Sequence, residues 1–449
     1  DGPQVDECRF GLGRALELQG DIESARIAYQ TMTAANGPLA DDAQVQTGIC
    51  LYNHGDYPQA AKAFQTALER FPDSDLTGQA RYWLGMCQVA QHDWDKAAQT
   101  LRSALDSHPQ HALAPSMTFW LADTMRQSGD LKAAQEGYAQ VVKSWPQCEW
   151  ADDSLEMLIQ FALTASQFDR VVSLGEQFRA EYPASPLKDP VAQRLGRGYL
   201  KQKEYAKAIE ILKPLTPTAA VGDRPAEADG AGEAPALDTA PAPEADLQTN
   251  QYYLGLAYLG DQQYEAALEA LAHVPTTPDN QELSGGVRLA QAMAYAGLNR
   301  HADAIEPLQQ YLAAQPPGPE AAACRVHLIN SLVQSGCVDE ALKMHGEVAG
   351  LPTPPPGFEA ATLRLAEAAY EAGKYDDSVA LFEILIEDRQ PAEWASQGWS
   401  GLGWTQFRAG KAEAAVVAFT RLFDQYPESP LAAEGALIKA KALEQLGRS

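Results

Sequence analysis

The strongest constraint on this chain is that it repeats itself. "GDYPQAAKAFQTALERFPDS" (55–74), "GDLKAAQEGYAQVVKSWPQC" (129–148) and "GKAEAAVVAFTRLFDQYPES" (410–429) carry Gly first, Ala five places on, an aromatic nine places on and Pro at the eighteenth position. A small-residue marker sets the period at 37. Gly48, Gly85, Ala122 and Gly196 share one grid, with Ile159 in the slot between the last two. Gly255, Ala292, Ile329, Ala366, Gly403 and Ala440 share a second. Gly196 to Gly255 is 59 residues, one period plus 22, and Gly13 to Gly48 is 35. Twelve residues after each marker stands Ala25, Ala60, Ala97, Ala134, Val171, Ala208, Ala267, Ala304, Ala341, Ser378 or Ala415. A fixed period in this range is the signature of stacked repeats, each too small to bury its own apolar face.

Each unit reads as two helices. The marker lies in the first, and a turn that often holds Gly follows (Gly20, Gly55, Gly129, Gly336, Gly373, Gly410). Gly suits positive φ at a helix C-terminus. The second helix pairs its Ala with a large apolar residue four places on, so both share a face. Pro then stops it at Pro72, Pro109, Pro146, Pro183, Pro316 and Pro427. In "YPASPL" and "YPESPL", Ser185 and Ser429 suit the N-cap of the next helix, and Pro186 and Pro430 its first position. The expected fold is all-α.

The small residue, Gly, aromatic, Ala, aromatic and Pro of "TGICLYNHGDYPQAAKAFQTALERFP" (Gly48, Gly55, Tyr57, Ala60, Phe64, Pro72) resemble the tetratricopeptide repeat, with a 37-residue period in place of the usual 34. The resemblance implies an α-solenoid, a right-handed superhelix of helix-turn-helix repeats. The loop phrases "FPDSDLTGQARYWLG" (71–85) and "YPESPLAAEGALIKA" (426–440) look like the periplasmic Tol-Pal coordinator and outer-membrane assembly lipoproteins of bacteria. That likeness implies a periplasmic or envelope-associated location, with the cytoplasm as the alternative.

The expected organisation is an N-terminal arm of about six repeats (5–216), an acidic Ala/Pro-rich disordered insertion or linker (217–246), and a C-terminal arm (247–449) of about five repeats plus a terminal helix. Residues 216–246 hold seven acidic residues against Arg224 and no aromatic. Such a stretch buries too little apolar surface to offset its ordering entropy. The chain opens at Asp1 rather than Met, which leaves room for a removed signal peptide, lipid anchor or upstream domain.

A net charge of −26 argues against nucleic acid, whose phosphates need clustered Lys and Arg. No apolar run approaches the ~20 residues that span a bilayer, so no direct membrane insertion is expected. The six cysteines form no C-x-x-C pair and no zinc spacing, and read as free thiols. "HPQH" (108–111) falls on a helix stop and reads as a surface loop. Gly398, Gly401 and Gly403 are not followed by the Lys-Ser/Thr of a phosphate loop. Asp41-Asp42, Asp152-Asp153 and Asp376-Asp377 suit helix starts. No catalytic group, metal or cofactor is expected.

What remains is a surface. In proteins of the resembled family the first helices line a concave groove. That register assigns Tyr52, Tyr82, Met86, Phe119, Tyr252, Glu367, Tyr370, Trp404 and Phe407 to the groove, with Met293 and Leu363 beside them. Asp123, Arg126, Glu156 and Arg197 supply polarity. The family's clamp for a peptide C-terminus is represented by Asn330 alone, without its Lys. The expected activity is a non-catalytic scaffold for protein or peptide ligands with apolar residues flanked by basic ones. The alternatives are a non-catalytic portion of a larger enzyme and a self-associating structural element.

Overall fold

In a computed structural model, residues 3–35, 37–215, 243–277, 280–314, 318–387 and 391–448 are described. The expected insertion lies outside them over 217–242, as does Pro316; residues 243–246 open a helix. Every regular element among the described residues is helical.

The chain divides into two compact units, Asp1–Pro243 and Glu244–Ser449. Unit 1 pairs α1 (Pro3–Leu18) with α2 (Ile22–Ala35), α3 (Ala40–Asn53) with α4 (Tyr57–Arg70), and α5 (Thr77–Ala90) with α6 (Trp94–Ser107). It continues with α7 (Ala114–Ser128) and α8 (Leu131–Ser144), α9 (Ala151–Thr164) and α10 (Phe168–Glu181), then α11 (Lys188–Lys201) and α12 (Tyr205–Leu212). Unit 2 pairs α13 (Pro243–Gly260) with α14 (Tyr264–Ala272), α15 (Gln281–Gly297) with α16 (His301–Ala314), and α17 (Pro319–Gln334) with α18 (Val338–Ala349). Then come α19 (Phe358–Glu371) with α20 (Tyr375–Leu385), α21 (Ala392–Arg408) with α22 (Ala412–Gln425), and α23 (Pro430–Gln445). Within each unit, neighbouring helices in sequence are neighbours in space.

The turn inside each pair explains the period. Residues 20, 55, 92, 129, 166, 203, 262, 299, 336, 373 and 410 all have positive φ, between 56° and 90°. The residue after each closes the turn by donating to the carbonyl five back, as in Asp56 N to Leu51 O and Asp93 N to Gln88 O, both 2.9 Å. His92, Ser166, Lys203, Gln262 and Asn299 hold this left-handed conformation without being glycine. The turn geometry is therefore imposed by the helices it joins.

The Ala twelve places after each marker is 0% exposed wherever it occurs, as is Val171; Ser378, also 0% exposed, donates its hydroxyl to Ala366 O at 2.9 Å. The marker itself packs on the residue sixteen places later. A Cβ on Gly48, Gly85, Gly255 or Gly403 would lie 2.5–2.7 Å from Phe64, Leu101, Leu271 or Phe419. At the one slot where the marker is large in unit 1, Ile159, the residue sixteen on is Gly175. Gly175 itself is packed by Leu195 of α11, 3.1 Å from where its Cβ would stand.

Within unit 1, the joint between α10 and α11 differs from the sequence expectation. Helix α11 starts at Lys188 after Leu187, not at Pro186. Ser185 Oγ accepts from Leu187 N at 3.0 Å and so closes a turn ahead of the helix instead of capping it. Pro430 does open α23, with Ser429 before it.

Candidate functional site

In unit 1 the first-helix positions assigned to a groove are closed by packing. Tyr52 and Tyr82 are 6% exposed, Met86 1% and Phe119 0%. Tyr52 meets Trp83 and Tyr57 edge-on at ring distances of 5.0 and 5.2 Å. Phe119 stacks on Trp150, from the next joint, at 4.6 Å. An arriving ligand finds these three rings and the thioether already covered, so their role is core, against the expectation that they line a groove. The polar set is likewise satisfied internally. Asp123 accepts from Arg126 Nη2 at 2.7 Å and from Tyr138 Oη at 3.0 Å, and Glu156 pairs with Arg194 at 2.8 Å.

Unit 2 is different. Half-buried Tyr252 lies across Gly286 of the next pair and belongs to packing. Further on, a groove of about 1170 Å³ opens along α19, α21 and the start of α23. Leu363, Glu367 and Tyr370 line it from α19, and Trp404 from α21. Its floor is hollow because α21 offers small residues there: Ser396, Ser400 and Gly401. The ring of Phe382 lies over Gly401. Tyr426, Pro427 and Leu431 form the far wall. Phe407 does not reach the groove; it packs on Ala412, Ala415 and Ala442 and against Phe419. Three residues of helix turn a side chain by about 60° from its neighbour's direction. That angle sends Trp404 to the opening and Phe407 into the joint of α21, α22 and α23.

Among the described residues the lining carries charge of one sign: Glu367, Glu371, Glu393 and Glu428 line it, and no Lys or Arg among them does. Burial, with Glu371 next to it, raises the Glu367 carboxyl above its ordinary pKa, against the pull of Arg364. Gln397 Oε1 is buried in the lining without a hydrogen-bond partner. At the rim, Arg408 Nε donates to Tyr370 Oη at 3.1 Å, and this contact raises the Arg408 pKa. Asn330 accepts from Arg364 Nη1 at 3.0 Å. Among the described residues, no cluster of three or more His, Cys, Asp or Glu could hold a metal ion. No helix among them is long and apolar enough to cross a membrane.

A tetratricopeptide-repeat family model matches residues 45–112, 88–149, 288–349, 363–416 and 400–449, together more than half of the chain. The chain belongs to the tetratricopeptide-repeat family. Among solved structures, this tetratricopeptide-repeat chain is similar to one of Naa15/Naa10 bound to HypK-THB, at 14% identity and a TM-score of 0.40. The match covers 91% of this chain and 61% of that one, so the chain spans less than two thirds of the protein it matches. It is also similar to one of the APC/C hetero-tetramer Cut9–Hcn1, at 13% identity and a TM-score of 0.29, over 96% of this chain and 89% of that one. No curated protein sequence matches this tetratricopeptide-repeat chain.

Proposed function

We propose that this chain is a non-catalytic scaffold that binds a protein segment in the groove of unit 2. The observation that carries the reading is the meeting of Glu367, Tyr370 and Trp404, on two different first helices, around one open apolar groove. Repeat helices with a completed core have no packing use for an exposed recess of this size, whereas a few aromatic side chains at a recess can carry most of a binding energy. The partner is a protein or peptide with apolar residues flanked by basic ones, by complementarity to the acidic lining. Proximity crosslinking of the full chain, compared with Trp404→Ala at unchanged helicity, tests the site. Crosslinked partners that persist in the variant at full yield would move the site elsewhere.

For location, the loop phrases at 71–85 and 426–440 support the bacterial envelope. Fractionation of the source cells tests this, and recovery of the chain with the cytosol would remove it.

A further inference from the structure

We propose that a small cavity between α15, α16 and α17 is a site for a soft monovalent metal ion, copper(I), held by His301, His327 and Met293. The cavity shares no lining residue with the groove of α19 and α21, and the proposal does not depend on what that groove binds.

The repeat breaks its own rule at this place. Among the described residues, the eleven second helices open on an apolar or aromatic residue, such as Tyr57, Trp94, Phe168, Tyr264 and Tyr375, with one exception, His301 at the start of α16. In the pair before it, Tyr264 spreads over Gly297 of α15, where a Cβ would stand 2.5 Å from the ring. The imidazole of His301 is smaller than that phenol, and Ala292 and Ala296 of α15 add little bulk beside it. A cavity of about 60 Å³ is left open, with room for an ion. Close packing is given up here, and departures of this kind concentrate at functional sites.

His301, His327 and Met293 reach the cavity from three different helices, with Ser331 beside them. Ser331 is 3% exposed, and among the described residues its hydroxyl has no hydrogen-bond partner. Neither imidazole is hydrogen-bonded or ion-paired among those residues. His301 Nδ1 is enclosed by protein, which leaves Nε2 as the nitrogen able to take a ligand. Met293, 43% exposed, and His327 stand at the opening, where flexible side chains can admit an ion and close on it.

The donor set selects the metal. Two imidazoles and a thioether carry no charge, and among the described residues no carboxylate or thiolate lines the cavity. Neutral donors do not offset a divalent charge, and a thioether is a soft ligand that favours copper(I). Structural zinc sites instead take four ligands, with thiolate or carboxylate commonly among them. Loss of hydration lowers the His327 pKa, which keeps that ring neutral and able to bind. Two histidines and one methionine also fall outside the clusters of three or more His, Cys, Asp or Glu that this chain lacks among its described residues.

The probe is copper(I) itself, titrated without oxygen into the full chain against the chromogenic competitor bicinchoninate. The chain carries Cys8→Ser, Cys148→Ser and Cys337→Ser, so that the less buried thiols do not take the ion. One ion per chain is expected, with nitrogen and sulfur neighbours in its X-ray absorption spectrum. His301→Phe restores the ring found at this slot in α10; it should weaken binding about tenfold or more and raise the melting temperature. His327→Gln, at an exposed position, should weaken binding about tenfold at an unchanged melting temperature. Met293→Leu should remove the sulfur neighbour. Zinc(II) in excess should leave the copper(I) titration unchanged, and so should Trp404→Ala, which separates this site from the groove. Absence of binding, full affinity in both His301→Phe and His327→Gln, a sulfur neighbour that persists in Met293→Leu, or displacement by zinc(II) overturns the assignment.

Discussion

Phe64 lies against the bare Cα of Gly48, so close that a Cβ at residue 48 would stand 2.5 Å from its Cε1. The two residues are sixteen apart, on the first and second helices of one pair. The same relation joins Gly403 to Phe419. Adding volume at 48 therefore has a definite cost. Gly48→Val should destabilise unit 1 by about 1–3 kcal/mol through overpacking. Combined with Phe64→Leu it should cost less than the sum of the two single changes, since neighbours in contact are coupled. Urea unfolding followed by circular dichroism measures this. Strict additivity would mean that the contact does not set the spacing of the pair.

A pH dependence follows from His345 in α18. The imidazole is 4% exposed, stacks on Phe358 at 4.7 Å, and pairs its Nε2 with Thr362 Oγ1 at 2.8 Å. The Thr362 hydroxyl donates to Phe358 O, so the ring is the donor in its own pair with Thr362. Burial pushes the His345 pKa down to about 4. The unfolded chain titrates near ~6.5. As pH falls from 6.5 towards 4, the unfolded state takes up this proton first, and stability is lost across that window. Thermal melts of wild type and His345→Gln between pH 7.5 and 4.5 read the effect; the variant should show a shallower fall. Parallel curves would exclude His345 as its source.

Thiol chemistry should sort the cysteines by burial. All six are free; Cys8 is exposed, while Cys50, Cys87 and Cys324 are buried. Burial raises the Cys50 thiol to about 11, and Cys87 and Cys324 to about 12. The reactive form is the thiolate. At pH 7 a maleimide should label Cys8 within minutes and these three only after unfolding, with six thiols found in denaturant. Fewer than six would reveal a disulfide that the spacing argument denies.

The fold was legible in the sequence because a repeat states its register many times. A departure such as Ile159 is outvoted, and Lys203 or Gln262 takes the turn conformation that Gly takes elsewhere. The site was legible only in part. The family register says which face of a first helix points inward, and that suffices for Glu367, Tyr370 and Trp404. It cannot say what arrives from the next repeat. Phe119 occupies the repeat position of Leu363, which lines the groove, yet it is covered by Trp150, a joint residue. The groove itself comes from side chains that are missing, at Ser396, Ser400 and Gly401, and a pattern search for large residues passes over them. The cluster of small residues in "ASQGWSGLGW" was the available signal.

Trp404 and Phe407 should separate cleanly under substitution, although they are three residues apart on one helix. Trp404 is half-buried and lines the groove, with its inner edge against Phe419 and its neighbours. Phe407 is also half-buried, but its contacts are the helix joint around Ala412, Ala415 and Ala442. Trp404→Ala should therefore weaken partner binding by about 2 kcal/mol, as for an aromatic hot spot, with a smaller loss of stability. Phe407→Ala should lower the unfolding midpoint of unit 2 and leave affinity within about twofold, because what it removes is mainly packing between α21, α22 and α23. Titration with a partner segment identified by the crosslinking gives the affinities, and denaturant unfolding gives the stabilities. If Phe407→Ala abolishes binding while its helicity and midpoint are unchanged, the binding face extends past the groove onto the helix joint. If Trp404→Ala unfolds unit 2 instead, the indole is a core residue and the groove has lost its anchor.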